Sequence, residues 1–153
     1  MKKRAEFIYV GADHAGFALK EKIKKWLSSN YNVNDVGNYE YDKKDDYPDF
    51  AWALGKKVVK NKSSAGILFC GSGQGVCIAA NKIKGIRAVS VNNEKDAKQS
   101  REHGNANVLC LSGWNLNEEK SKKIIHVFLN TKFSNEPRHI RRLMKIKIIE
   151  NRR

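Results

Sequence analysis

Between positions 66 and 82 the chain reads Gly66-Ile67-Leu68-Phe69-Cys70-Gly71-Ser72-Gly73-Gln74-Gly75-Val76-Cys77-Ile78-Ala79-Ala80-Asn81-Lys82. The first part is a short apolar run that reads as a buried strand, the last part suits a helix, and glycines join them. A strand that passes through glycines into a helix turns backbone N–H groups into a small concavity, with the positive end of the helix dipole behind them. Such a joint binds anions. Cys70 at the strand's end adds a group able to exchange protons or attack carbon, which points to an enzyme acting on an anionic or anion-forming substrate.

The rest of the chain repeats this strand-to-helix step. Phe7-Ile8-Tyr9-Val10 is a short apolar run, and Leu19, Ile23, Trp26 and Leu27 then mark one face of a helix. A weaker strand is expected over 31–36, followed by a polar loop over 37–46. Tyr47-Pro48-Asp49 should open a helix, since proline suits a first turn, with Ala51, Leu54, Val58 and Val59 as its apolar stripe. Strand 66–70 and helix 75–82 come next, then strand 86–91, helix 93–103, strand 107–111 and two helices over 118–129 and 137–149. There are no repeats and no linker. This alternation predicts a three-layer α/β/α sandwich, Rossmann-like, around a doubly wound five-stranded parallel sheet with right-handed crossovers. Ligands of such sheets sit outside the carboxyl ends of the strands. Asp13, His14, Cys70, Ser72 and His103 are accordingly expected to converge near one edge.

At 153 residues the chain fits one domain, 1–153, and a chain of that size buries roughly 70% of its unfolded surface without a staple. Cys70, Cys77 and Cys110 are an odd set in largely apolar surroundings, which argues against a disulfide framework and for a reducing cytoplasm. Met1-Lys2-Lys3-Arg4 is basic, but Gly11, Asp13 and His14 interrupt the apolar run behind it, so neither an export signal nor a membrane span is expected. The formal charge of +14, densest from Lys120 through Arg153, favours polyanions. The lysines elsewhere, such as Lys20, Lys22, Lys24 and Lys25, read as solvent faces of helices without the interleaved aromatics that stack on bases, so no nucleic-acid partner is expected.

Several site types fall away. Gly71 to Gly75 lacks the final glycine of a dinucleotide loop and follows the third strand rather than the first, no Gly-Lys-Ser/Thr follows it, and no Cys or His pair has zinc spacing. No metal is called for. Cys77, within a helix face, reads as a small buried hydrophobe, and His126 and His139 as structural or surface residues.

Five segments in order, Gly11-Ala12-Asp13-His14-Ala15-Gly16-Phe17, Asp46-Tyr47-Pro48-Asp49, Cys70-Gly71-Ser72-Gly73-Gln74-Gly75 with Ala79-Ala80-Asn81-Lys82, Ser100-Arg101-Glu102-His103 leading to Asn107-Val108-Leu109, and Arg138-His139-x-x-Arg142, closely resemble the ribose-5-phosphate isomerase B family. The resemblance spans essentially the whole chain. It implies a cofactor-free aldose-ketose isomerase that opens the furanose of ribose 5-phosphate and moves a proton between C2 and C1 through an enediolate. Members that act on galactose 6-phosphate or allose 6-phosphate leave a six-carbon substrate open. By motif, Cys70 is the base for the C2 proton, Ser72 shuttles hydroxyl protons, and the amides around Gly71, Gly73 and Gly75 hold the oxyanion. Asp13 and His103 serve ring opening, while His14, Tyr47 and Asn81 position the sugar or its phosphate. Arg138 and Arg142, one turn apart, would grip the phosphate. The family further implies a homodimer or homotetramer with shared sites and the C-terminal helix at the interface, which gives Ile140, Leu143, Ile146, Ile148 and Ile149 a reason to be apolar.

Three positions depart from the family pattern. Val76 stands where some members carry a glutamate base, so proton transfer falls to Cys70. Gly104 replaces a common Asn after the histidine, and Trp114 follows Gly113 where Arg is common, both at positions able to touch substrate or phosphate.

Overall fold

The computed structural model describes residues 5–152; Met1, Lys2, Lys3, Arg4 and Arg153, which the charge reading included, lie outside the described residues. The elements run β1 (Phe7–Ala12), α1 (Phe17–Leu27), β2 (Asn32–Asp35), α2 (Tyr47–Lys60), β3 (Ser64–Cys70), α3 (Gly75–Ala80), β4 (Ala88–Ser90), α4 (Glu94–Gly104), β5 (Val108–Ser112), α5 (Glu118–Asn130) and α6 (Pro137–Asn151). The five strands form one parallel sheet in the order β2-β1-β3-β5-β4. No described helix is long and apolar enough to cross a membrane.

Period-two alternation divides the sheet's side chains between two cores. Ile8, Val10, Ile67, Phe69, Leu109 and Leu111 face one side, where Leu19, Ile23 and Leu27 of α1, Ala97 of α4 and Ile124, Ile125 and Phe128 of α5 cover them. Leu68, Cys70, Val108 and Cys110 face the other, beneath Ala51, Leu54 and Val58 of α2 and Val76 and Ala80 of α3. Each fully buried Leu or Ile among them contributes about 2 kcal/mol. The doubly wound sandwich expected from the alternation is therefore present.

The local differences have local causes. β1 runs two residues past Val10, through Gly11 and Ala12, because Leu68 and Phe69 of β3 continue to pair with it. β4 keeps three residues rather than six, being an edge strand with only β5 beside it. α3 stops at Ala80 instead of Lys82, because Asn81 turns its side chain outward to bond both the N–H and the C=O of Ala88, at 2.9 Å each. The solvent-face reading of Lys20 is wrong. Its ammonium is fully buried and bonds both oxygens of Asp35, at 3.0 and 2.9 Å, and the carbonyl of Asn38, while Lys24 reaches Asp35 at 2.8 Å. Burial works against the Asp35 charge, but the Lys24 and Lys20 ammoniums outweigh it and hold the carboxyl below its usual range. This knot ties α1 to β2 and to the start of the 37–46 loop, whose far end carries Asp45 and leads into Tyr47 of α2.

Candidate active site

Two loops meet at the carboxyl ends of β1 and β3, the neighbouring strands from which the chain winds in opposite directions across the sheet. The first holds Asp13 to Gly16. Its closeness to β3 is set by Gly16, where an added Cβ would lie 2.5 Å from the Phe69 carbonyl carbon, so only glycine fits. The second, 71–75, turns at Gly73 with φ +77°, a left-handed conformation that glycine adopts freely. β5 pins this loop from the side: the Ser112 hydroxyl donates to the Gly71 carbonyl at 2.6 Å, and the N–H groups of Gly113 and Trp114 donate to the carbonyls of Cys70 and Gly71.

Cys70 ends β3 with 3% of its surface exposed, and its Sγ accepts the Gly73 N–H at 3.2 Å. The thiol is thus held against the loop by the Gly73 amide. Ser72 Oγ accepts the Gln74 N–H at 3.2 Å, which keeps the hydroxyl on the loop's rim. Tyr47, at the start of α2, lays its ring over Gly75, and the indole of Trp114 lies against Gly71 although 74% of Trp114 is exposed. An aromatic wall stands on each side of the loop.

Asp13 is nearly buried, and one carboxylate oxygen accepts the N–H groups of Ala15 and Gly16 at 3.0 and 3.1 Å. Burial pushes its carboxyl up, against the Gly16 bond and the neighbouring His14, so it retains a proton to higher pH than a surface aspartate. His14 is paired with Asp45, whose Oδ1 lies 2.7 Å from Nδ1 and accepts the His14 backbone N–H at 2.9 Å. The Asp45 bond raises the pKa of the imidazole, although partial desolvation opposes it. Asp13, His14 and Asp45 each bring one donor atom within 4.8 Å of the others, as a metal site would require. Asp13 Oδ1 accepts two backbone N–H groups and Asp45 Oδ1 is shared with His14 Nδ1, an arrangement suited to proton transfer. Sequence reading missed Asp45, Ser112 and the packing role of Gly16. Asp45 was visible only as one acid in a polar loop, and nothing in the linear order pairs it with His14.

The expected convergence on one edge fails for His103, and Asn81, Arg138 and Arg142, which the family resemblance adds to the site, also lie away from the Cys70 loop. Asn81 caps α3 beside the start of β4, its amide spent on Ala88, because a crossover helix carries the chain back to the amino edge of the sheet. His103 sits in the last turn of α4, and Asn107, four residues on, already bonds Arg87 and Gly66 at the amino ends of β4 and β3. From there to Cys70 is about 13 Å along the β3-β5 register, four steps of roughly 3.3 Å. Arg138 and Arg142 lie on the same side as His103, exposed on α6, with Arg138 bound to Glu136 at 2.7 Å. His139 is buried between them, its ring centroid 4.5 Å from that of His103 and its Nδ1 2.6 Å from Ser134 Oγ. Burial and the nearby His103 keep its pKa low. Within one chain the expected site residues fall into two groups, one at each edge.

The family model described as Ribose/Galactose Isomerase matches residues 8–146. The chain belongs to the ribose/galactose isomerase family. A probable ribose-5-phosphate isomerase B of Mycoplasma genitalium is 46% identical over 141 residues, covering 91% of this chain and 92% of that protein. D-erythrulose-4-phosphate isomerase 2 of Mycolicibacterium smegmatis is 36% identical, covering 82% and 85%. Among solved structures, ribose-5-phosphate isomerase B of M. genitalium with bound ribulose-5-phosphate superposes with a TM-score of 0.91 at 45% identity, over 96% of this chain and 98% of that one. The Clostridium thermocellum enzyme gives 0.91 at 37% identity, over 95% and 98%. The ribose/galactose isomerase fold is thus shared along nearly the whole length.

Proposed function

We propose that this protein is an aldose-ketose isomerase interconverting D-ribose 5-phosphate and D-ribulose 5-phosphate, built as a single domain over 1–153. The observation that carries the reading is Cys70, its Sγ bonded by the Gly73 amide at the edge where ligands of such sheets bind. Cys70 takes the proton from C2 and returns it at C1. The amides of Gly71, Gly73 and Gly75 face the oxygen that becomes negative in the enediolate, and Ser72 relays a hydroxyl proton between O1 and O2. Asp13, its carboxyl pushed up by burial, serves opening of the furanose, while His14 and Tyr47 line the sugar's path into the loop. Val76 is buried in the core and leaves Cys70 as the base.

The second half of the site comes from a second copy. His103, Arg138 and Arg142 are too far from Cys70 in their own chain, and α6 beside them carries exposed Ile140, Met144, Ile146, Ile148 and Ile149. A two-fold dimer that covers this helix gives two sites at once, since each chain offers its opposite edge to the other. The partner subunit's His103 then joins Asp13 in ring opening, and the partner's Arg138 and the partner's Arg142 grip the phosphate by charge-assisted bonds. No metal or organic cofactor enters any of these steps, and a soluble cytoplasmic enzyme of sugar-phosphate metabolism fits them.

Purified protein, incubated with ribose 5-phosphate in the presence of a chelator, should form ribulose 5-phosphate. The relative kcat/KM for four-, five- and six-carbon aldose phosphates should be highest for the five-carbon substrate; a higher value for another chain length reassigns the substrate.

A further inference from the structure

The active-site reading leaves one buried acid without a role. Asp45 lies at the end of the 37–46 loop with 7% of its side chain exposed, and both of its oxygens are used: Oδ1 by the His14 backbone N–H and Nδ1, Oδ2 by the Asn38 amide at 3.2 Å. A carboxylate only accepts hydrogen bonds, so the shared proton belongs to Nδ1. His14 Nε2 has no protein partner among the described residues, and 35% of the side chain remains exposed beside the Cys70 loop. We propose that Asp45 is a positioning residue for His14, fixing the ring with Nδ1 protonated so that Nε2–H is presented as a cationic donor to an anionic oxygen of the substrate. The proposal rests on the isomerase reading.

The groups facing the ring are Asp13 on its own loop, Asp45 and the edge of Tyr41, 6.4 Å away between centroids. Both acids favour the imidazolium and raise its pKa above that of a solvent histidine. An acid that holds a histidine in one tautomer acts on the reaction without touching substrate.

The test uses the intact protein and ribose 5-phosphate. Asp45→Asn is expected to lower kcat/KM about 10- to 100-fold. It should also move the alkaline limb of the kcat/KM profile to lower pH, because the ring then loses the charge that holds its proton. In a His14→Gln background the same substitution should have no further effect. Wild-type kcat/KM with an unmoved limb in Asp45→Asn overturns the proposal, and so does an equal loss in both backgrounds, which marks a folding role. Should Asp45→Asn not fold, ring-nitrogen NMR of the wild-type protein decides: a neutral Nδ1–H tautomer and a His14 midpoint above that of a solvent histidine are expected, whereas an Nε2–H tautomer or an unraised midpoint overturns it. Lack of turnover in the wild-type protein would instead count against the isomerase reading, and the NMR still decides the pairing.

Discussion

The two edges of the sheet are built in opposite ways. At the carboxyl edge, Asp13, Cys70 and the 71–75 loop are mostly buried and cross-braced by Ser112, Gly113 and Phe69, so their geometry is complete within one chain. At the amino edge, His103, Arg138 and Arg142 are exposed on α4 and α6, and the Arg138 charge rests on Glu136. A base that must meet one carbon needs rigid backing, whereas a clamp for a doubly charged phosphate can be supplied across an interface by long side chains. On the proposed reading the carboxyl edge supplies the base and the oxyanion amides, and the amino edge supplies the phosphate grip together with His103 for ring opening.

That contrast fixes what each substitution should do. Cys70→Ala should abolish turnover, by a factor of about a thousand or more, while circular dichroism and melting stay near wild type. Arg138→Ala or Arg142→Ala should each raise KM about tenfold or more with a smaller change in kcat, since a bond to a charged group contributes roughly 1.5–3 kcal/mol. A kcat loss equal to that of Cys70→Ala would erase the distinction between the edges. Lys20→Ala touches neither edge directly but leaves the partly buried Asp35 with Lys24 as its one remaining ammonium, and should cost about 3 kcal/mol in urea unfolding. Asp35 also sets an acid dependence. Its folded pKa is depressed, so its contribution is present above the unfolded carboxylate pKa and is lost as pH falls through the folded value; Asp35→Asn should flatten that acid limb of stability. Trp114→Ala should shift KM by less than about tenfold, as an exposed ring against Gly71 contributes on the order of 1 kcal/mol. Cys77→Ala should leave activity almost unchanged.

Much of the fold was legible because it follows from periodicity. The Gly66-to-Cys70 run, the stripes of α1 and α2 and the proline at Pro48 each mark an element whose type depends on local chemistry. Asp13, His14, Cys70 and Ser72 were legible as a group because they follow strands at one edge. His103 was misplaced for a reason the pattern itself contains: a helix that links parallel strands runs antiparallel to them, so a residue just ahead of β5 belongs to the amino edge. Lys20 and Asp45 were beyond reach in another way. Lys20 meets Asp35 across 15 residues and His14 meets Asp45 across 31, and neither contact leaves a mark on the apolar pattern.

The central claim is that each site joins the carboxyl edge of one chain to the amino edge of another. Mixing inactive Cys70→Ala protein with Arg138→Ala/Arg142→Ala protein, at a substrate concentration too low for the raised KM of the latter, with subunit exchange allowed, tests it directly. Random pairing into two-fold dimers should restore roughly a quarter of wild-type activity, through the one intact site of each mixed dimer. Mixed dimers that form yet remain inactive would contradict the shared site.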